Sequence, residues 1–437
     1  MKKGIGLGVI GISTILLMAG WINISSYDSE KATYSSEKVE INEEKSKEQG
    51  NWMYLSEEQR LKDFDYLYHM LKENYPYFGV AKRSGHDLEK AYKEMRNVIK
   101  ACKSDEAFFA LLKNYCDIDT GHLGLWGTRY FSLLEEFKSY SKQDDFFKTY
   151  VQILENPTSQ TNYAKMKNYF EPIQEQQQKT QEAEQQLQQE TEVYHNVETK
   201  IIKENEIAYV AIHSFAVEFY EETKEVLLNF YKEVSNYPHL IIDICDNVGG
   251  SMSFYDDLIV APNITETVSV PTYYFVKDGK NNNQYLEIEN NRDEKWKPIS
   301  LLPSLPNLVK EDREELDYFC ENIYEIMPLY KEKLFKGKIW LLVNENNYSS
   351  SEYAAMFSKA SGFATLVGRT TGGDGIGVDP LLFALPESGL VIQYASIYGA
   401  TGDGASSEEA GTVPDILCQA NEAPLDKCIE QILIKGI

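Results

Sequence analysis

The sequence predicts an α/β protein with a helical N-terminal region. Apolar residues recur at helical spacing between residues 52 and 155. After about residue 199, short apolar runs alternate with amphipathic segments, as in layered α/β structures. The chain has 437 residues, of which 43% are hydrophobic and 12% aromatic. This length and composition provide a sizeable core and room for more than one domain.

The region 52–155 is predicted to be a small helical domain. Phe64, Leu67 and Leu71 recur at spacings of three and four, and the pattern ends near Pro76. Similar spacings further along predict two more helices. The following segment, residues 156–198, is rich in glutamine and is expected to be a helical or flexible insert that buries little.

The region 199–437 is predicted to be an α/β core. Residues 257–310 show no clear pattern and are expected to be irregular, with a helix after them. The other segments carry strand or helix patterns. The predicted strands are IAYVAIHSF, HLIIDICD, KIWLLVN, ATLVG, LLFALP and LVIQYASI, and the predicted helices are VEFYEETKEVLLNFYKEV and EYAAMFSKA.

The first 26 residues have the pattern of an export segment. Lys2 and Lys3 precede an uncharged run over residues 4–26, long enough to span a bilayer. The cleavage site is poorly defined, so both an uncleaved signal anchor and a cleaved signal peptide remain open. Residues 27–51 are polar and are expected to be a tether. We therefore expect an extracytoplasmic protein, membrane-anchored through this segment only or secreted.

Charge and cysteine content narrow the range of partners. The formal charge of −25 repels nucleic acid and anionic membrane surfaces. The six cysteines could form disulfides in an exported chain, but their spacing selects no pairing. Cys245 lies in a strand pattern and is expected to be a small buried apolar residue. No cysteine or histidine pair has zinc-ligand spacing, so neither a metal nor a cofactor is expected.

Four segments contain residues suited to chemistry. Taken singly, a histidine is more often structural, glycines usually make a turn, serines usually cap a helix and a glutamate usually lies on the surface. Together they supply a nucleophile, a base, a group that orients the base and backbone donors for an oxyanion. The segments are DIDTGHLGLWG with His122, IIDICDNVGGS with Gly249 and Gly250, YSSSEYAAMF, and SSEEAGTVPDI with Glu408.

The ordered set resembles the C-terminal processing, or tricorn-core, serine peptidase family over roughly residues 55–430. LIIDICDNVGG is similar to the family's D-x-R-x-N-x-G-G segment, and YSSSEYAAMF to its S-A-S-E before a helix. LVGRTTGGDGIG and EEAGTVPDI are similar to its G-E-x-T-x-G and E-x-x-G-V-x-P-D segments. The resemblance implies a core related to the ClpP/crotonase α/β spiral. It also implies hydrolysis of peptides or proteins through an acyl-enzyme, without a cofactor.

The resemblance also implies roles for particular residues. The family nucleophile falls on Ser349, the first of three adjacent serines. Ser350 is then expected to give a backbone N–H to the oxyanion hole, with Gly249 or Gly250 giving the other. Ser351 and Glu352 are expected to cap and begin the helix.

One position departs from the family's tail-specific members, which use a Ser–Lys dyad. Asp374 stands where their lysine is expected, and an aspartate cannot supply a neutral amine. The tricorn-like branch instead uses a histidine and a late glutamate, which match His122 and Glu408. Gly121 stands where tricorn has a serine, so Glu408 is expected to reach the imidazole directly, or through Thr120 or water. Asp374 itself is expected to matter far less than His122.

Two other functions remain open at this point. The same fold serves as a non-catalytic ligand- or peptide-binding module in some relatives, and the same triad could hydrolyse non-peptide acyl bonds. A PDZ module, usual in tail-specific members, is not recognisable, and the glutamine-rich segment occupies its place. Neither the substrate sequence nor the oligomeric state can be predicted.

Overall fold

The structure is a computed structural model that describes residues 51–118, 120–142, 146–170, 195–288 and 296–435. The predicted signal segment, the tether up to residue 50 and the glutamine-rich stretch 174–193 lie outside these residues. Within the described part, no helix is both long enough and apolar enough to cross a membrane.

The secondary structure is mixed, and the elements are numbered in chain order. The helices are α1 Glu57–Asn74, α2 Phe78–Arg83, α3 Leu88–Ala101, α4 Asp105–Cys116, α5 Tyr130–Tyr140, α6 Phe146–Leu154, α7 157–170, α8 Tyr220–Glu233, α9 Met252–Tyr255, α10 Lys280–Ile288, α11 Lys310–Glu314, α12 Ser350–Ser361, α13 Ser407–Ala410 and α14 Pro424–Lys435. The strands are β1 Gly124–Leu125, β2 Val197–Lys203, β3 Ile207–Ile212, β4 His239–Asp243, β5 Val268–Val276, β6 Lys297–Pro298, β7 Tyr318–Ile326, β8 Lys338–Val343, β9 Thr365–Gly368, β10 Leu381–Ala384, β11 Val391–Tyr394, β12 Ile397–Thr401 and β13 Ile416–Leu417.

The first helix shows how local sequence sets an element. Ser56 and Gln59 form a reciprocal capping box at the start of α1, which satisfies donors that a helix N-terminus leaves unpaired. Phe64, Leu67 and Leu71 are fully buried on one face, as their spacing predicts. The helix ends at Asn74, two residues before the proline.

The helical region shares its core with strands from the C-terminal part of the chain. Its buried side chains form one cluster with residues of β10, β11 and β12. It also contributes β1, which pairs antiparallel with β11. Buried Asp63 on α1 accepts 2.8 Å hydrogen bonds from the N–H groups of Glu387 and Ser388. The loop between α4 and β1 lies against the turn between β11 and β12, where the Ala395 N–H donates to the Gly121 carbonyl at 2.7 Å.

The central sheet has six strands in the order β13-β9-β8-β4-β3-β2. All neighbouring pairs are parallel except β2 with β3. Helix α8 connects β3 to β4, and α12 connects β8 to β9, which makes two βαβ units. The carboxyl ends of β4 and β8 therefore lie side by side at one edge of the sheet.

The region expected to be irregular contains much of a second sheet. Strand β5 lies within residues 257–310 and pairs antiparallel with β7 over nine residue pairs. A short helix, α11, follows this region as expected, but most of the chain between it and β8 is β7 and loop. Pro271 interrupts the strand pattern of β5 because proline lacks the N–H of a ladder residue. The prediction of an irregular segment was wrong for this reason.

Candidate active site

Ser349 lies at the turn between β8 and α12, in a strained backbone conformation. Its φ of 57° and ψ of −124° fall outside the regions that side-chain-bearing residues normally occupy. Although Ser349 is the residue that precedes the helix, its side chain makes no capping hydrogen bond. The hydroxyl is therefore left for another use.

The neighbouring serines have different environments. Ser351 exchanges hydrogen bonds with the backbone of Tyr348, accepting from its N–H and donating to its carbonyl, both at 3.0 Å. Ser350 has a buried hydroxyl without a partner. Ser351 lies inside α12, which begins at Ser350, and its hydroxyl bonds the residue before the turn, so the prediction that Ser351 caps the helix and Glu352 begins it is wrong. Ser349 remains the partly exposed serine whose hydroxyl makes no hydrogen bond within the described residues.

The glycine pair lies against this turn. A Cβ on Gly249 would come within 2.9 Å of the Tyr348 carbonyl oxygen and 3.3 Å of Ser349 Cβ. Gly250, at φ 142°, packs so closely on the backbone of Phe215 that a Cβ would lie 2.3 Å from its carbonyl carbon. Both positions therefore need glycine, the first for close approach to the serine turn.

The two candidate glycine donors differ in availability. The Gly249 N–H donates to Asn247 Oδ1 at 2.8 Å. Within the described chain, neither the Gly250 N–H nor the Ser350 N–H donates to a protein acceptor. Of the predicted oxyanion residues, Gly250 and Ser350 are thus the pair with free donors.

Two buried asparagines fix the loops that carry these groups. Asn347 Nδ2 donates to the carbonyl oxygens of Ile244 and Asn247, at 2.5 and 3.0 Å, and its Oδ1 accepts from the Asn344 N–H. Asn247 Nδ2 donates to the carbonyl of Ile212. These amides join the loops after β3, β4 and β8 at the sheet edge, where α/β proteins commonly place their sites.

His122 lies in the loop between α4 and β1. Its φ is 50°, and Gly121 before it has φ 54°. A Cβ on Gly121 would lie 2.5 Å from the Tyr77 ring and 2.9 Å from the Tyr75 ring, so the serine of tricorn does not fit here. The His122 imidazole packs edge-to-face on Tyr348, with ring centroids 5.3 Å apart.

Asp374 is the carboxylate in contact with this imidazole. His122 Nε2 lies 2.8 Å from Asp374 Oδ2, and both side chains are largely buried. The loop that carries Asp374 also touches the nucleophile turn, because the Ser349 N–H donates to the Gly373 carbonyl at 3.1 Å. The expectation that Asp374 matters far less than His122 does not fit this arrangement.

Glu408, on α13, lies behind Asp374. Its carboxyl accepts from the Tyr348 hydroxyl at 3.2 Å and lies close enough to the Gly121 N–H and the Asp374 side chain for both to affect its pKa. Burial, and next the charge of Asp374, raise the pKa of Glu408 well above its usual value. The expected direct contact between Glu408 and the imidazole is corrected, since Asp374 occupies that place.

Another buried acid lies at the start of α12. Glu352 accepts a 2.6 Å hydrogen bond from the Thr412 hydroxyl, and its second carboxyl oxygen has no partner. Burial raises the pKa of Glu352 to about 8. Across the described residues, no group of three or more histidine, cysteine, aspartate or glutamate side chains could hold a metal ion.

The cysteines stand apart from this cluster. None of the six forms a disulfide in this structure. Cys245, expected to be buried, is partly exposed, because it lies two residues beyond the end of β4 at the sheet edge.

Sequence reasoning missed Asp374 as a partner of His122 and the asparagines as loop anchors. The asparagine in DNVGG and the one before YSSSE were visible but carried no chemical signal.

Comparison with known proteins bears on the family and the fold of the chain. Residues 206–418 match the family model described as Peptidase family S41. No curated protein matches the chain in sequence.

Solved structures resemble the whole described fold. A candidate peptidase from Parabacteroides merdae ATCC 43184 aligns with a TM-score of 0.53 and 17% identity, over 86% of this chain and 98% of its own. Mature CPAF in complex with lactacystin aligns with a TM-score of 0.52 and 11% identity, over 87% and 97%. At these identities the alignments show a shared fold. The family match shows that residues 206–418 belong to peptidase family S41, and the chain is a serine-type peptidase.

Proposed function

We propose that this chain is an exported serine peptidase of the histidine-containing, tricorn-like branch, with a Ser-His-Glu type site. The observation that carries the proposal is the backbone at Ser349. A strained φ of 57° at a strand-to-helix turn, with a hydroxyl that caps nothing, is typical of residues that carry a function.

The reaction follows from the groups around this turn. Ser349 Oγ attacks the carbonyl carbon of the scissile peptide, and its proton passes to His122. The N–H groups of Gly250 and Ser350 stabilise the oxyanion of the tetrahedral intermediate. The C–N bond then breaks, and His122 gives its proton to the leaving amine. Water, deprotonated by His122, hydrolyses the acyl-enzyme and restores Ser349.

Contacts on both sides of Ser349 support the pairing with His122. Tyr348 precedes Ser349 and packs on the imidazole. Gly373 accepts from the Ser349 N–H, and the residue after it, Asp374, contacts His122 Nε2. Glu408 completes the acidic side of the site through its bond to Asp374.

The test is labelling by a fluorophosphonate, which phosphonylates activated serines. Wild-type protein should label, and Ser349→Ala should not. Ser351→Ala is the matched control, because it removes a hydroxyl two residues away that bonds only the Tyr348 backbone. A wild-type protein that does not label would favour the non-catalytic binding module instead. Labelling of Ser349→Ala at the wild-type rate would show that another residue is the nucleophile.

The finer fold assignment belongs to the same proposal. We infer a ClpP/crotonase-like spiral core, supported by five consecutive parallel strands with helices on their crossovers. An experimental structure of this chain would test the inference. The core should then superpose more closely on solved tricorn-like cores than on other α/β hydrolases.

Export is supported by the sequence of the first 26 residues alone. Lys2 and Lys3 followed by an uncharged run favour a segment that targets the chain to the membrane. Fractionation of the producing cells, with N-terminal sequencing of the recovered protein, tests this. Recovery in the cytoplasm with an intact N-terminus would contradict export, and a start beyond Ser26 would exclude the uncleaved anchor.

A further inference from the structure

The environment of Asp374 differs from that of an ordinary surface aspartate. Its φ is 60°, a left-handed conformation held between two glycines. Its N–H donates to the Ser407 carbonyl at 3.1 Å, and the Gly375 N–H donates to Ser407 Oγ at 2.8 Å. These bonds attach the Asp374 loop to α13. The buried carboxylate then points at His122, with 2.8 Å between Oδ2 and Nε2.

Asp374 and Glu408 are buried carboxyl groups on two segments in direct contact, since the Asp374 N–H donates to the carbonyl of Ser407, the residue before Glu408. Two like charges buried close together cannot both be ionised at low cost, so the pair holds a proton. Burial and then the charge of Asp374 raise the pKa of Glu408 well above its usual value. The proton of the pair therefore resides on Glu408.

We propose that Asp374 is the positioning residue for the His122 imidazole, and that neutral Glu408 holds Asp374 in place by donating a hydrogen bond to it. This inference rests on the proposed function of Ser349 and His122. Asp374 accepts from Nε2–H and so fixes the tautomer in which Nδ1 is unprotonated. Nδ1 is then the nitrogen that takes the Ser349 proton, and ionised Asp374 stabilises the imidazolium that forms.

Two neighbours of Glu408 oppose its neutral form. The Tyr348 hydroxyl, which donates to the carboxyl at 3.2 Å, and the Gly121 N–H both lower the pKa of Glu408, but burial and the charge of Asp374 raise it by more. Apart from His122, no cationic side chain in the described residues forms an ion pair with either acid. The other titratable groups that face the pair are Tyr75 and Tyr77 from the α1–α2 loop, Tyr324 from β7, Tyr348 and Glu352.

This arrangement predicts a bell-shaped dependence of reactivity on pH. The acid limb is the one expected of a histidine base, which must be unprotonated to accept the serine proton. On the alkaline side, loss of the last proton leaves two adjacent buried charges and removes the hydrogen bond that orients Asp374. The rate therefore falls when Glu408 ionises. Glu408→Gln keeps an N–H donor toward Asp374 but has no proton to lose.

The experiment measures the rate of fluorophosphonate labelling of the full chain against pH. Asp374→Asn should label about 10²–10⁴-fold more slowly than wild type, because the amide favours the wrong tautomer. Glu408→Gln should label without the alkaline fall, when its rate at each pH is compared with its own maximum. Glu352→Gln should keep the alkaline fall, and this result would distinguish Glu408 from Glu352, the other acid at the site with a raised pKa. Glu409→Gln, an exposed neighbour on α13, is the matched control.

The outcomes separate this inference from the proposed function. If Asp374→Asn labels at the wild-type rate, or if Glu408→Gln keeps the wild-type alkaline fall, the inference is overturned while Ser349 remains the nucleophile. If wild-type protein labels at no pH, the proposed function fails and the inference with it. Circular dichroism checks folding, and if Asp374→Asn does not fold, the Glu408→Gln profile alone decides.

Discussion

The nucleophile side and the base side of the site are held by different kinds of bond. The Ser349 turn is fixed by neutral amides, since Asn347 and Asn247 tie the loops at the sheet edge to backbone carbonyls. The His122 side is held by carboxyl groups that share a proton, Asp374 and Glu408. The asparagine amides do not titrate, whereas the carboxyl groups do. The geometry of the nucleophile should therefore be insensitive to pH, and the activity of the base should depend on it.

The largest effect is expected on the base side. His122→Ala should lower the rate of fluorophosphonate labelling by about two to four orders of magnitude, the usual loss when a general base is removed. The wild-type rate should rise with pH through the range of about 5 to 8 in which imidazoles lose their proton. The variant should not show that rise. A His122→Ala protein that labels as fast as wild type would remove histidine from the mechanism.

A second prediction concerns the nucleophile side. Asn347→Ala leaves the Asn247 carbonyl and the Asn344 N–H without partners, while the Ile244 carbonyl keeps its bond from the Asn247 N–H. The loss should reduce the free energy of unfolding by about 2–4 kcal/mol. Urea titration measures this loss. The labelling rate should fall by the same factor at every pH, because no titrating group is removed.

The control for that prediction is the next residue toward the strand. Asn346→Ala removes an exposed side chain with one long hydrogen bond, to the Cys245 carbonyl. It should leave stability and labelling nearly unchanged. A pH-dependent loss in Asn347→Ala would mean that the two sides are not independent.

The smallest expected effect is on the way the stability of the folded protein changes with pH. Burial raises the pKa of Glu352 to about 8 and those of Asp256 and Asp63 to about 7 and 6. An acid with a raised pKa binds its proton more tightly when folded, so its contribution is present below the unfolded pKa and is lost as pH rises through the folded value. The melting temperature should therefore fall between pH 5 and about pH 8.

Glu352→Gln sharpens this prediction. The amide carries no charge at any pH, so the melting temperature should decline less steeply as pH rises. In the free energy of unfolding, the difference should be up to about 1.4 kcal/mol for each pKa unit of the shift removed. Glu225→Gln, an exposed change on α8, should keep the wild-type slope. An unchanged slope in Glu352→Gln would mean that this carboxyl is already ionised in the folded protein.

The parts of the fold that the sequence predicts are those with a regular pattern. α1 and the strands of the parallel sheet follow from apolar spacing because each buries one face or both. The second sheet was missed, since Pro271 and the mixed burial of β7 hide the strand period. The prediction of family membership is confirmed, because its motifs are short segments whose order is visible without the fold.

The site could be predicted only in part, for a related reason. Ser349 and the glycine pair lie at the ends of neighbouring strands, so their proximity follows from parallel order. The contact between His122 and Asp374 joins positions 252 residues apart (374 less 122) through two left-handed loops. No local pattern specifies such a contact. The roles of Ser349, His122 and Glu408 remain predictions until they are measured.

The most direct measurement maps the site of fluorophosphonate attachment on wild-type protein by peptide mass spectrometry, at pH 5 and at pH 8. The account predicts a single adduct, on Ser349, that forms faster at pH 8 than at pH 5 because the base is then unprotonated. An adduct on another serine, or equal rates at the two pH values, would contradict it.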